Sequence, residues 1–216
     1  MCWSKETSLL FAVVGTAFVF YQRSKRKTWA SLLPILLYVV MEFLQWKQYD
    51  KIDKCDDVEN KELTKLAYVL IWIQPVVWNY KFMMERVNDS NIFKYTFGLS
   101  IIIFILAMDR MYTKTISKGK PNSLELHNQG ENCTSFGEKH LQWVFDLNTN
   151  LGMEPNWLWY FVLMLAPHFY LGDPTNFGKI FSFSAVFACI MCRGASLEVA
   201  SYWCYLSIPM YLIFLD

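Results

Sequence analysis

Long blocks of apolar residues recur along the chain, separated by short polar connections and one long polar segment. With their flanks, most blocks reach the roughly 20 residues that a helix needs to cross a hydrocarbon core of about 30 Å. Backbone polar groups in lipid must be satisfied internally, so such blocks are helices rather than open strands. The pattern predicts helices at residues 7–22, 28–48, 63–84, 92–112, 155–172, 177–193 and 195–215. The predicted fold is an all-α, polytopic transmembrane bundle of about seven spans in one domain, 1–216.

The long polar segment, residues 113–154, joins the fourth predicted helix to the fifth. It contains Asn132 in the sequence Asn-Cys-Thr, which is an acceptor for N-glycosylation if the segment faces a lumen. Near its end, the apolar residues of 141–147 have a spacing that predicts a short amphipathic helix at the membrane surface. A second polar stretch, 47–62, carries charges of both signs and is typical of a solvated loop.

Charged residues differ between the connections and indicate an orientation. The connection 22–28 carries four cations, against Lys5 alone before the first predicted span. The positive-inside rule then places the N-terminus outside. Four basic residues at or beyond the end of the fourth predicted helix oppose this assignment: Arg110, Lys114, Lys118 and Lys120. That segment is long, which weakens its influence on orientation, so we expect the N-terminus outside.

The six cysteines fall into two groups. Three lie within predicted spans, where cysteine usually packs as a small apolar residue: Cys189, Cys192 and Cys204. Cys189 and Cys192 have a CxxC spacing, but no second ligand pair accompanies it, so no metal site is predicted. The other three, Cys2, Cys55 and Cys133, lie on one side of the predicted membrane. Cys55 and Cys133, in the two large polar segments, could form a disulfide if that side is oxidising.

Ionisable residues inside predicted spans are functional candidates, because a charge at the bilayer centre costs at least about 2.5–3.5 kcal/mol. Glu42 is the clearest, and Gln45 lies one turn further along the same helical face. Arg193 and Glu198 lie at the turn between the sixth and seventh predicted helices, toward the same membrane face as Glu42. The four residues could form a substrate or proton site. The alternative is an ion pair that only locks the bundle.

Two segments carry a resemblance to known proteins: residues 41–46, Met-Glu-Phe-Leu-Gln-Trp, and residues 198–204, Glu-Val-Ala-Ser-Tyr-Trp-Cys. Together they resemble motifs in small uncharacterised multi-pass membrane proteins encoded by large DNA viruses. The resemblance covers these two helices and implies no activity. It points toward a viral source and, in that case, toward a host or virion membrane.

Other seven-helix families fit the chain poorly. A retinal protein needs a lysine in its last helix, and residues 195–215 contain none. Carriers of the PQ-loop kind have repeated Pro-Gln pairs, whereas this chain has only the reversed pair Gln74-Pro75. Zinc hydrolases of the ceramidase kind gather several histidines within their spans, and here only His168 lies in one.

The net charge of +1 gives no reason to expect a nucleic acid as a partner. The pattern predicts no catalytic residues, cofactor or metal, and the lipid bilayer is the expected partner. We expect a small transporter or channel-like protein with an intramembrane carboxylate site. A structural or interaction protein of a viral or organelle membrane is the alternative, and a membrane-bound enzyme is the third.

Overall fold

A computed structural model describes residues 4–85, 90–113, 131–137, 140–147, 155–171, 176–191, 199–201 and 203. Its helices are α1 (Lys5–Ser24), α2 (Trp29–Gln48), α3 (Val58–Glu85), α4 (Ser90–Tyr112), α5 (Trp157–Tyr170) and α6 (Asn176–Met191). Two strands, β1 (Cys133–Phe136) and β2 (Leu141–Val144), pair as an antiparallel hairpin between α4 and α5. Residues 199–201 and 203 are also helical. The described chain is mostly helical, as predicted, with one β-hairpin added.

The hairpin corrects the expectation of an amphipathic helix at 141–147. Leu141, Trp143 and Phe145 are buried, whereas the residues between them are partly exposed. This alternation has the two-residue period of a strand that is buried on one face. Pairing with β1 aligns Cys133 with Val144 and Phe136 with Leu141.

Consecutive helices run in opposite directions, which gives the bundle two distinct ends. Lys5, at the start of α1, forms an ion pair with Asp50, just after α2. Arg110, near the end of α4, donates from Nη1 to the carbonyl of Pro155 before α5, at 2.8 Å. The hairpin end thus contains the starts of α1, α3 and α5. The opposite end, which we call the turn end, contains the connection between α1 and α2.

Helices α1 and α2 approach each other closely. Small residues face inward along α1, and Ser8, Ala12 and Gly15 are all buried. A Cβ atom added at Gly15 would lie 2.6 Å from Cγ2 of Val39, so only glycine fits there. Small residues that let two backbones come close are typical of helix contacts within membranes.

Asn79 joins three helices near the turn end. Pro167 has no N–H, so the carbonyl of Leu163 loses its partner within α5. Asn79 Nδ2 donates to that carbonyl at 3.0 Å, and Asn79 Oδ1 accepts from Thr96 Oγ1 at 2.7 Å. A side chain of α3 therefore satisfies the backbone group that a proline frees in α5, while it also holds α4.

Two described helices, Trp29–Gln48 and Asn91–Tyr112, are long and apolar enough to cross a membrane. Length and composition alone do not distinguish a membrane span from the buried core helix of a soluble protein. Helices α5 and α6 have 14 and 16 residues, and α3 begins at Val58, within the charged stretch. The structure therefore does not support the predicted count of seven spans. Most of the predicted helix 195–215 lies outside the described residues.

Candidate functional site

A stripe of polar residues runs along one face of α2, at Tyr38, Glu42, Gln45 and Gln48. The helical spacing places these side chains on successive turns of the same face. All four are buried. At one end of the stripe, Tyr38 accepts a hydrogen bond from Trp78 Nε1 at 3.3 Å. At the other end, Gln48 Nε2 donates to the carbonyl of Leu63 at 3.1 Å.

The two middle residues of this stripe differ from the ends. Glu42 is 3% exposed and Gln45 is fully buried. Oε1 of Glu42 and both side-chain polar atoms of Gln45 have no hydrogen-bond partner among the described residues. The hydroxyl of Ser8, on α1, faces the Glu42 carboxylate. A buried polar group without a partner costs about 1–3 kcal/mol. Packing alone therefore does not explain why Glu42 and Gln45 are buried.

We define the carboxylate site as Ser8, Glu42 and Gln45. It offers carboxylate and amide oxygens as acceptors and one amide group as a donor. Such a set can take up a proton or bind a small cation. Glu42 and Gln45 are buried in the bundle, whereas Arg193 and Glu198 lie outside the described residues. The structure therefore leaves the predicted four-residue cluster untested.

A second polar network attaches the hairpin to the end of α2 and the start of α3. Its five members, which we call the docking network, are Gln48, Asn60, Thr64, Thr134 and Trp143, and all are buried. Gln48 Nε2 donates to Thr134 Oγ1 at 3.0 Å, and Gln48 Oε1 accepts from Trp143 Nε1 at 3.2 Å. Gln48 thereby contacts both strands.

Thr134 is satisfied at every polar atom. Its N–H donates to Asn60 Oδ1 at 2.9 Å, and its carbonyl accepts from Asn60 Nδ2 at 2.8 Å. Its hydroxyl lies 2.7 Å from the hydroxyl of Thr64. Sequence reasoning missed this network, because Gln48 and Asn60 fall in or beside a stretch interpreted as solvated. The spacing of Asn60 and Thr64, four residues apart on one helical face, was the available signal.

A disulfide joins Cys55, before α3, to Cys133 at the start of β1, with the Cα atoms 5.0 Å apart. These are the two cysteines that the sequence offered as a pair. The neighbouring Asn132 is partly exposed, and its Oδ1 accepts from the Asp146 N–H at 3.1 Å. Its amide nitrogen is the atom that a glycan would modify, and glycosylation stays a prediction.

Ion pairs concentrate at the hairpin end. Lys51 Nζ lies 2.9 Å from carboxylate oxygens of both Asp57 and Glu59. The lysine lowers the pKa of the Asp57 carboxyl, and the two carboxylates raise the pKa of Lys51. Arg110, counted above among the loop cations, is instead buried and hydrogen-bonded to Pro155.

His140 lies in the connection between the strands and is buried. Its Nδ1 accepts from the Leu141 N–H at 2.6 Å, and its carbonyl accepts from the Gly137 N–H at 2.8 Å. Burial lowers the pKa of the imidazole to about 4. The folded hairpin therefore holds this histidine neutral over the whole physiological range.

Acidification should destabilise the fold through His140. An unfolded histidine has a pKa of about 6.5, so the unfolded chain takes up this proton first as the pH falls. The stabilisation is complete above pH 6.5 and falls by about 3 kcal/mol as the pH approaches 4. Thermal unfolding between pH 7.5 and 4.5 measures this slope, and His140→Gln should flatten it. An equal slope in both proteins would contradict the assignment.

Within the described residues, no group of three or more histidine, cysteine, aspartate or glutamate side chains is placed to hold a metal ion. Among these residues, the carboxylate site differs from the docking network and from the Asn79 contacts in its unpartnered polar atoms.

Comparison with known proteins identifies the family. The profile of a family of unknown function, DUF5765, matches residues 6–216. The chain belongs to this family. An uncharacterized protein of Acanthamoeba polyphaga mimivirus is 26% identical to this DUF5765 chain over an alignment 226 residues long. The alignment covers 96% of this chain and 91% of the viral protein. No solved structure matches the chain.

The viral relative confirms part of the resemblance seen in the sequence. The similarity extends along almost the whole DUF5765 chain rather than over two helices, and it leads to an uncharacterised protein of a large DNA virus. The similarity does not show that either protein lies in a membrane.

Proposed function

We propose that this DUF5765 protein is a multi-pass integral membrane protein, a small transporter or channel whose carboxylate site binds a proton or a small cation. The observation that carries the proposal is the burial of Glu42 and Gln45 with three polar atoms unpartnered among the described residues. A purely structural polar pair would be expected to satisfy these atoms, whereas a binding site keeps them available.

The outer surface of the bundle supports a membrane location. Large apolar side chains are exposed on α1, α4 and α6, among them Leu10, Val13, Val14, Ile102, Ile105, Phe183, Val186 and Ile190. Monomeric soluble proteins rarely expose contiguous apolar surface of this kind, and such surfaces mark contact with a membrane or another protein. We extend the proposal to seven spans, which requires the short helices α5 and α6 and the chain after residue 195 to cross as well.

Exposed aromatic residues at the turn end add to this support. Tyr21, Trp29, Tyr95 and Tyr170 lie at the end of α1, the start of α2, the start of α4 and the end of α5. Tyrosine and tryptophan are enriched where a membrane protein meets the headgroup region.

Proton flux tests the carboxylate site. When the external pH of sealed liposomes with a pH-sensitive dye inside is lowered, the lumen should acidify faster with the wild-type protein than in empty liposomes. Glu42→Gln should lower this rate at least tenfold, because an amide cannot carry the proton. Glu62→Gln is the matched control, since Glu62 is an exposed carboxylate paired with Lys65. A Glu42→Gln rate equal to that of wild type would contradict the proposal.

An interaction protein of a membrane surface is the second candidate. The docked, disulfide-linked hairpin favours it, because the docking network holds a rigid extramembrane platform against α2 and α3. The flux assay separates the two functions. A wild-type protein that inserts into liposomes but conducts no faster than empty liposomes would favour the platform.

A further inference from the structure

The connection between α1 and α2 concentrates positive charge at the turn end. Arg23, Lys25 and Arg26 are exposed, and Lys27 is partly exposed. Arg26 has a φ of 66°, a left-handed conformation that reverses the chain between the two helices. Thr28 then caps α2, and its hydroxyl accepts from the Ser31 N–H at 3.3 Å. Four cations are thus held in one tight turn.

These cations differ from those at the hairpin end. There, Lys5, Lys47, Lys51, Lys61 and Lys65 each form an ion pair with a carboxylate. Among the described residues, none of the four turn cations forms an ion pair. Unbalanced like charges repel one another, so this turn is electrostatically suited to an anionic partner.

Aromatic rings border the charges. The Arg23 guanidinium carbon lies 5.4 Å from the Trp29 ring centroid, and Lys25 Nζ lies 4.4 Å from that of Tyr21. Arg23 Nη1 also donates to the Lys27 carbonyl at 3.1 Å. Both rings are about half exposed and lie where the apolar helices end. Amphipathic rings of this kind prefer the headgroup depth of a bilayer, which places the cations beside lipid phosphates.

We infer that residues 23–27, with Tyr21 and Trp29, form a binding site for the phosphate of anionic phospholipids in the leaflet at the turn end. This inference rests on the membrane location proposed above. Each lysine or arginine near an anionic surface raises affinity about fivefold. Three such residues together should raise the affinity for an anionic lipid at least tenfold, even when salt screens part of the attraction.

Native mass spectrometry of the full-length protein in neutral detergent measures the retained lipids directly. With equimolar phosphatidylglycerol and phosphatidylcholine, wild type should retain the anionic lipid at least tenfold more often. The triple variant Lys25→Gln, Arg26→Gln, Lys27→Gln should lose this preference. The control variant Lys47→Gln, Lys61→Gln, Lys65→Gln removes the same charge from the hairpin end and should keep the preference.

Two further measurements test whether charge carries the preference and whether a free phosphate competes with the lipid. The exchange variant Lys25→Arg, Arg26→Lys, Lys27→Arg keeps the charge and should keep the preference, which would show that the preference follows charge rather than the particular side chains. Glycerol phosphate in tenfold excess should not displace the lipid. Displacement, or equal loss in the control variant, would overturn the inference.

Membrane extraction with alkaline carbonate distinguishes the two proposals. A wild-type protein that stays in the membrane pellet but retains both lipids equally contradicts the lipid site and leaves the membrane location standing. A protein released from the membrane by carbonate contradicts both.

Discussion

Replacing Cys55 and Cys133 together by serine should lower the free energy of unfolding by about 4 kcal/mol. The disulfide closes a loop over a sequence separation of 78 residues, which includes all of α3 and α4. In the chain-entropy account, a covalent link across so long a segment removes many conformations from the unfolded ensemble. The effect should appear as a lower midpoint in thermal unfolding of the purified, non-reduced protein.

Cys189, a free cysteine within the described residues, provides the control for this experiment. Cys189 is exposed and unpaired, so Cys189→Ser should leave the midpoint unchanged. On a non-reducing gel, wild type and Cys189→Ser should share one mobility, and Cys55→Ser should migrate with reduced wild type. Identical mobility of Cys55→Ser and non-reduced wild type would show that the bond does not form.

The second large effect should follow from Asn60→Ala, which we expect to lower the free energy of unfolding by about 4 kcal/mol. The Asn60 amide accepts from the Thr134 N–H and donates to the Thr134 and Lys51 carbonyls, at 2.9, 2.8 and 2.7 Å. Alanine removes these bonds and leaves a buried N–H without its acceptor. Each buried group left without a partner costs about 1–3 kcal/mol. Thermal unfolding should show a fall of about 10 °C.

Gln142→Ala is the matched control, since it removes one hydrogen bond from the same hairpin at a partly exposed site. Gln142 Nε2 donates to Ser135 Oγ at 2.8 Å, away from the docking network. We expect a loss below about 1 kcal/mol. If Asn60→Ala lowers the midpoint no more than Gln142→Ala, the docking network does not hold the hairpin.

The apolar blocks predicted a helix well where the apolar run covers the whole helix. Helix α2 was expected at 28–48 and occupies Trp29–Gln48, with Thr28 as its cap. The start of α3 was placed at 63, five residues late, because charged residues precede the apolar run. Charged residues belong to a helix when their backbone groups continue its hydrogen bonding. Hydropathy does not detect this extension.

The long-range contacts were beyond a single sequence. Burial of Glu42 and Gln45 was predictable, because a carboxylate and an amide one turn apart in an apolar helix favour the interior. The pairing of Asn60 with Thr134 was not, since 74 residues separate them and no local pattern encodes their proximity. The alternation of Leu141, Trp143 and Phe145 was visible in the sequence, but a helical spacing fitted the same short run.

The position of the disulfide gives the chain an unusual connectivity. Cys55 precedes α3 and Cys133 follows α4, so these two helices and everything between them form a closed covalent ring. A protease that cuts once between residues 56 and 132 opens the ring without releasing a fragment. The two pieces stay one molecule until a reductant separates them, so such a cut changes the mass of the chain only after reduction.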